Sequence, residues 1–173
     1  MAEIKRSNMI RSHISSKQLK KISHEHISYE VQMFSATIAK IKDGNIERDE
    51  HNALLESFLL HSRCIINFLY PEKPRADDVI ADDFFSNPKI LRSALPISLS
   101  CAKDVRFRTG KEIAHLTYSR LNITPAQKQW NIGKIHDEIT SALEIFFKTL
   151  DVKQLKWFKT IVKDNTSSTY LQK

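Results

Sequence analysis

Apolar residues recur along the chain at helical rather than strand spacing. Ile27, Val31, Phe34, Ile38 and Ile41 step by four and three, a single stripe along a helix of about six turns. "KDGN" closes it, with Gly44 as a left-handed cap. The next stripe, Leu55, Phe58, Leu59, Ile65, Ile66 and Leu69, predicts a helix over 47–70 that Pro71 stops. "PEKPRADDVIADDFFSNP" is a connector, in which Asp77 or Asp78 caps a short helix reaching Phe84 and the aromatics pin the loop to the bundle. A third helix is expected from Pro88, kinked at Pro96 and running to Leu121. Thr124 as cap and Pro125 in the first turn open a fourth, carrying Ile132, Ile135, Ile139, Ala142, Phe146 and Leu150. A last amphipathic helix over 152–164 turns Leu155, Phe158, Ile161 and Val162 inward and Lys156, Lys159 and Lys163 outward.

No repeat and no two-residue alternation interrupts this pattern. It predicts an all-α protein, an antiparallel bundle of four to five long helices. Residues 1–16 read as a flexible basic leader, 17–164 as one helical-bundle domain and 165–173 as a polar C-terminal tail. With 3 Gly and 5 Pro in 173 residues there are few turns to spend on short strands.

Charge adds a partner class. The net charge of +7 suits an anionic partner, nucleic acid first, without requiring one. Cys64 and Cys101 lie in apolar surroundings without CxxC spacing and read as reduced core residues. The N-terminus lacks the apolar run of a signal peptide, and the richest apolar stretch is broken by Glu56, His61 and Arg63. The expectation is a cytoplasmic chain with no membrane span. The aspartates at 77, 78, 82 and 83 read as caps and exposed acids rather than a metal site, so neither metal nor cofactor is expected.

"VRFRTGKEIAHLTYSR" carries the candidate chemistry. On a continuous helix Glu112, His115 and Ser119 fall within about 40° of Arg108, with apolar residues on both edges of the stripe. Two readings stand. Arg108 and Glu112 form an (i, i+4) pair on a helix surface, or the stripe lines a groove where its charges need partners. On the second helix Glu56, Arg63 and Asn67 share a face, and Arg63 either joins a Glu56-centred salt bridge or serves as a second anion ligand beside His115. His24 and His26 lie on opposite sides of a helix, and no P-loop or HExxH is present.

An arginine followed by a polar residue, a spacer and a histidine, late in a long helix with another long helix after it, resembles the motif of the HEPN superfamily. Here the motif maps onto Arg108, Thr109 and His115, and the blocks "NALLESFLLHSRCIINFLY", "DDVIADDFF" and "KEIAHLTYSR" resemble bacterial proteins of HEPN type over residues 25–150. In the compact form of the motif the arginine would fall at position 110, where this chain has Gly110. The resemblance implies a metal-independent endoribonuclease of toxin or defence type, or a non-catalytic binding or scaffold module acting with a partner protein. In the nuclease, His115 moves protons at the 2′-hydroxyl or the leaving 5′-oxygen, Arg108 steadies the scissile phosphate, and Glu112 orients them. Arg63, Arg120, Lys156, Lys159 and Lys163 are then RNA contacts, and the product carries a 2′,3′-cyclic phosphate. The resemblance also implies a homodimer, with an antitoxin or nucleotidyltransferase as partner.

Overall fold

A computed structural model describes residues 14–158. The leader up to residue 13, Lys159, Lys163, the rest of the expected last helix and the polar tail lie outside the described residues.

The first stripe folds as two α-helices joined by a π turn. Ser15 caps α1 (Ser16–Ile22), accepting from the Gln18 amide at 3.3 Å while its own amide donates to Gln18 Oε1 at 3.0 Å. Over Ser23–Ile27 the helix widens to a π turn, and α2 (Ser28–Asp43) continues from it. Two buried serines serve carbonyls around that widening, Ser23 Oγ donating to Leu19 O and Ser28 Oγ to Ser23 O, each at 2.6 Å. Gly44, at φ 73°, ends α2 in the left-handed region that glycine enters at little cost. The chain then returns along α2 as α3 (Arg48–Leu69), two residues shorter than the 24-residue span expected from 47 to 70.

Phe34 of α2 stacks on Phe58 of α3 at 5.1 Å between ring centroids, and both are buried. Past Pro71 the connector leads to a 3-10 turn, Ala81–Phe84. The expected cap by Asp77 or Asp78 is not what forms. Asp78 accepts from the Arg75 amide and closes a separate turn, while Asp83, inside the 3-10 turn, accepts from the Ile80 amide at 2.9 Å. The aromatic anchor does form: Phe84 packs edge-on against Phe68 and Phe146 and lies over Phe158.

The expected third long helix is instead two short pieces. α4 (Lys89–Ala94) stops at Leu95, which is extended because the residue before a proline is pushed out of the helical region. α5 (Ala102–Arg108) starts afresh, with Glu138 accepting from the Cys101 amide at 3.1 Å and from Ser100 Oγ. Burial opposes the charge of Glu138, but these donors and Lys134 hold its pKa below the ordinary carboxylate range. A π turn, Thr109–Ala114, follows α5, and at His115 the backbone becomes extended (φ −129°, ψ 139°).

Thr124 caps a single turn with Gln127 rather than a helix. The helix that carries the predicted stripe is α6 (Ile132–Thr149), capped by Asn131. Ile135, Ile139, Ala142, Phe146 and Leu150 are all buried, as their spacing requires. Asp151 then caps α7 (Val152–Leu155), and a 3-10 turn, Lys156–Phe158, buries Trp157 and Phe158.

The protein is all-α, with no strand among the described residues. Its long members there are α2, α3 and α6, of 16, 22 and 18 residues, rather than four to five. α6 packs on α3 and α4, and α5 packs on α3. No helix among the described residues is long and apolar enough to cross a membrane.

Candidate functional site

Arg108, the last residue of α5, is held by the chain on every side. Its Nε donates to Glu112 Oε1 at 2.8 Å and its Nη2 to Oε2 at 3.1 Å, a fork on one carboxylate. Nη2 also donates to the Gln127 carbonyl at 2.6 Å, and Nη1 to the Gln129 carbonyl at 3.2 Å and to Asp104 Oδ2 at 3.4 Å. A guanidinium has five N–H donors, and these five bonds use them all. Its carbon lies 3.7 Å from the centre of the Trp130 ring, adding a cation–π contact. The side chains of Arg108 and Glu112 are 14% and 18% exposed. Burial disfavours the charge on Arg108, but Glu112 and Asp104 outweigh it and the pKa lies above the ordinary arginine value. Physically this is a latch. It fastens the 127–130 segment leading into α6 to the end of α5.

His115 does not share that environment. The predicted stripe assumed 100° per residue throughout, whereas a π turn carries more residues per turn and rotates everything after it. The helix also ends before His115, which is exposed and makes no hydrogen bond or ion pair among the described residues. Ser119 is likewise exposed and bonds Thr117 Oγ1 at 2.7 Å. Arg108 and Glu112 are thus brought together, and His115 and Ser119 are not brought to them.

Arg120 turns back onto the end of the π turn, with Nε 3.3 Å from the Lys111 carbonyl and Nη2 3.5 Å from that of Ile113. Such contacts serve carbonyls that a helix end leaves open. Lys156 is exposed on a turn that packs near Ser23–Ile27, away from the residues that hold Arg108.

Thr109, the polar residue of the motif, is 0% exposed, and its Oγ1 is buried without a hydrogen-bond partner among the described residues. An unpaired buried hydroxyl is destabilising. Thr109→Val, which keeps the shape and removes the oxygen, is therefore expected to raise stability by about 1 kcal/mol in urea denaturation. A lower midpoint for the valine variant would mean that the hydroxyl has a role the fold needs.

Among the described residues, Arg63 does not pair with Glu56 as one expectation had it. No Glu56-centred salt bridge forms among the described residues. The half-buried Arg63 instead crosses to the π turn, where a side chain at Gly110 would meet its Nη1 at 3.4 Å. It makes no hydrogen bond or ion pair among the described residues and lines an open cleft of about 690 Å³ between the end of α3 and the 71–80 connector. Arg106 borders the same cleft but is engaged, donating to Asn67 Oδ1 at 2.9 Å, to Glu72 at 2.8 Å and to the Tyr70 carbonyl at the end of α3. Arg92 serves the neighbouring Leu69 carbonyl at 2.5 Å and pairs with Asp82 at 2.7 Å.

Cys64, expected in the core, is exposed on α3 at the cleft, while Cys101 is buried. Although Cys64 reaches solvent, the protein packed around its base desolvates the thiol and with nearby Glu30 pushes it up to about 11, so it is a neutral group near pH 7. Among the described residues no group of three or more His, Cys, Asp or Glu is placed to hold a metal ion.

The sequence reading missed Arg106, Trp130 and the Gln127 and Gln129 carbonyls. Arg106, two residues before Arg108, falls on a different helix face, and that spacing is the signal that separates its role from that of Arg108. Nothing in the local pattern marks Trp130 as the surface beneath Arg108. Comparison with protein-family models, with curated proteins and with solved structures finds no match.

Proposed function

We propose that this chain is a non-catalytic, HEPN-like binding or scaffold module that acts with a partner. The HEPN-like character rests on the three sequence blocks and the Arg108, Thr109 and His115 pattern. The observation that carries the non-catalytic reading is the complete use of Arg108's five donors within the chain. A phosphate-stabilising arginine must offer donors where charge develops, and every donor released here would come from a bond to Glu112, to Asp104 or to the Gln127 or Gln129 carbonyl. His115, on exposed extended backbone, has no orienting partner among the described residues of the kind a general acid or base uses.

One observation favours the second reading, a homodimeric metal-independent RNase. Leu116 and Tyr118, 91% and 92% exposed, follow His115 on the same segment, and a second copy covering them would bring His115 to an interface. Incubating the protein with tRNA and mRNA in EDTA separates the two. The binding-module reading expects intact RNA from wild type and from His115→Ala alike. Cleavage by wild type that leaves 2′,3′-cyclic phosphate ends and disappears in His115→Ala would establish the nuclease in its place.

A further inference from the structure

We infer that the cleft between the end of α3 and the 71–80 connector is a binding site for a small phosphate monoester with an apolar body. It rests on the binding-module reading for its purpose and names the ligand class. Four cationic side chains, Arg63, Lys73, Arg75 and Arg106, line the cleft against two carboxylates, Glu72 and Asp78. That excess of two positive charges matches a dianionic phosphate monoester better than a carboxylate.

The engaged groups leave the free ones pointing to an anion. Arg106 holds Glu72 in an ion pair at 2.8 Å, which removes one carboxylate as a competitor. Its bond to Asn67 Oδ1 fixes that amide so that the Nδ2 protons are the ones left to donate. Arg63 is the main ligand candidate. It is half-buried against Gly110, makes no hydrogen bond or ion pair among the described residues, and has a rigid fork suited to two phosphate oxygens. Lys73 and Arg75 project from the exposed connector on the other side.

The apolar part of the wall defines the rest of the ligand. Pro71, Pro74 and Val79 lie in the connector and Phe68 on α3, a surface for a flat or aliphatic body adjoining the cationic end. The cleft volume of about 690 Å³ is within the range of small-molecule sites.

Phenyl phosphate is the probe, titrated calorimetrically into the full chain beside phenol and inorganic phosphate. Saturable one-to-one binding of phenyl phosphate is expected, with weaker binding of inorganic phosphate and none of phenol. Arg63→Ala should weaken it by about tenfold, the loss of a charge-assisted fork. Arg75→Ala, on the exposed connector, should weaken it by about threefold without touching the core. Lys40→Ala, at the exposed end of α2, should leave it unchanged. Circular dichroism confirms that each variant is folded, and Arg75→Ala decides the matter if Arg63→Ala is not. No binding of phenyl phosphate, or equal binding by wild type and the two arginine variants, overturns the site. Equal losses in all three variants overturn it too, as diffuse charge alone would give them. These results leave the non-catalytic reading intact, since that one is tested by RNA cleavage and not by phosphate binding.

Discussion

Arg108→Ala should lower the stability of the protein by ~3 kcal/mol, measured as the shift in urea unfolding free energy. The magnitude follows from what is left behind. Glu112, 18% exposed, keeps its charge and loses both bonds of the fork. The Gln127 and Gln129 carbonyls lose their donor, and Trp130 loses the cation above its ring. Breaking a largely buried pair by removing one partner costs far more than deleting an exposed one. Arg108→Lys should recover only part of the loss, since an ammonium keeps the charge but cannot fork on Glu112 while reaching two carbonyls. A cost below ~0.5 kcal/mol for the alanine variant would place Arg108 among ordinary surface arginines.

The second large effect belongs to Phe146. It is fully buried at the centre of an aromatic cluster, 5.2 Å from Phe68, 5.5 Å from Phe84 and 6.1 Å from Phe158. Phe146→Ala should cost ~4 kcal/mol, combining lost transfer energy with a cavity that three different elements border. Since domains are commonly stable by about 5–15 kcal/mol, the variant will be close to unfolding. Amide exchange at 81–85 should quicken before that in α2, because Phe84 anchors the connector through this ring. Phe146→Leu should cost about 1.5 kcal/mol, as the smaller side chain fills part of the space. Equal destabilisation by alanine and leucine would show that the site collapses around either residue.

The contrast between these two residues shows what the sequence makes legible. Phe146 belongs to a stripe whose period is a property of the helix itself, so Ile135, Ile139, Ala142, Phe146 and Leu150 could be placed inward from spacing alone. The same reasoning placed both ends of α3 and the Gly44 cap to within a residue, though it gave the first stripe as one helix where α1, a π turn and α2 form. It failed where a helix departs from 100° per residue. "LPIS" broke the third helix instead of kinking it, because Leu95 before Pro96 leaves the helical region. The π turn at Thr109–Ala114 then carried His115 off the stripe, and no pattern of residue types announces an extra residue in a turn.

For the candidate site, the Arg108–Glu112 pair was legible as an (i, i+4) contact, one of the two readings that the sequence left open. Its saturation by backbone carbonyls about twenty residues away depends on tertiary packing, which sequence spacing does not encode. Arg63 was legible as an arginine needing a reason to lie in an apolar helix. Where it goes, over Gly110 and into the cleft, follows from the packing of α3 on the π turn.

Whether Arg108 is consumed by the fold is measured directly by a double-mutant cycle. The unfolding free energies of wild type, Arg108→Ala, Glu112→Ala and the double variant give the coupling between the two side chains. A coupling of ~2 kcal/mol is expected, with the double variant little worse than Arg108→Ala alone. A coupling within ~0.3 kcal/mol of zero would contradict it, and would leave the guanidinium free to serve a phosphate.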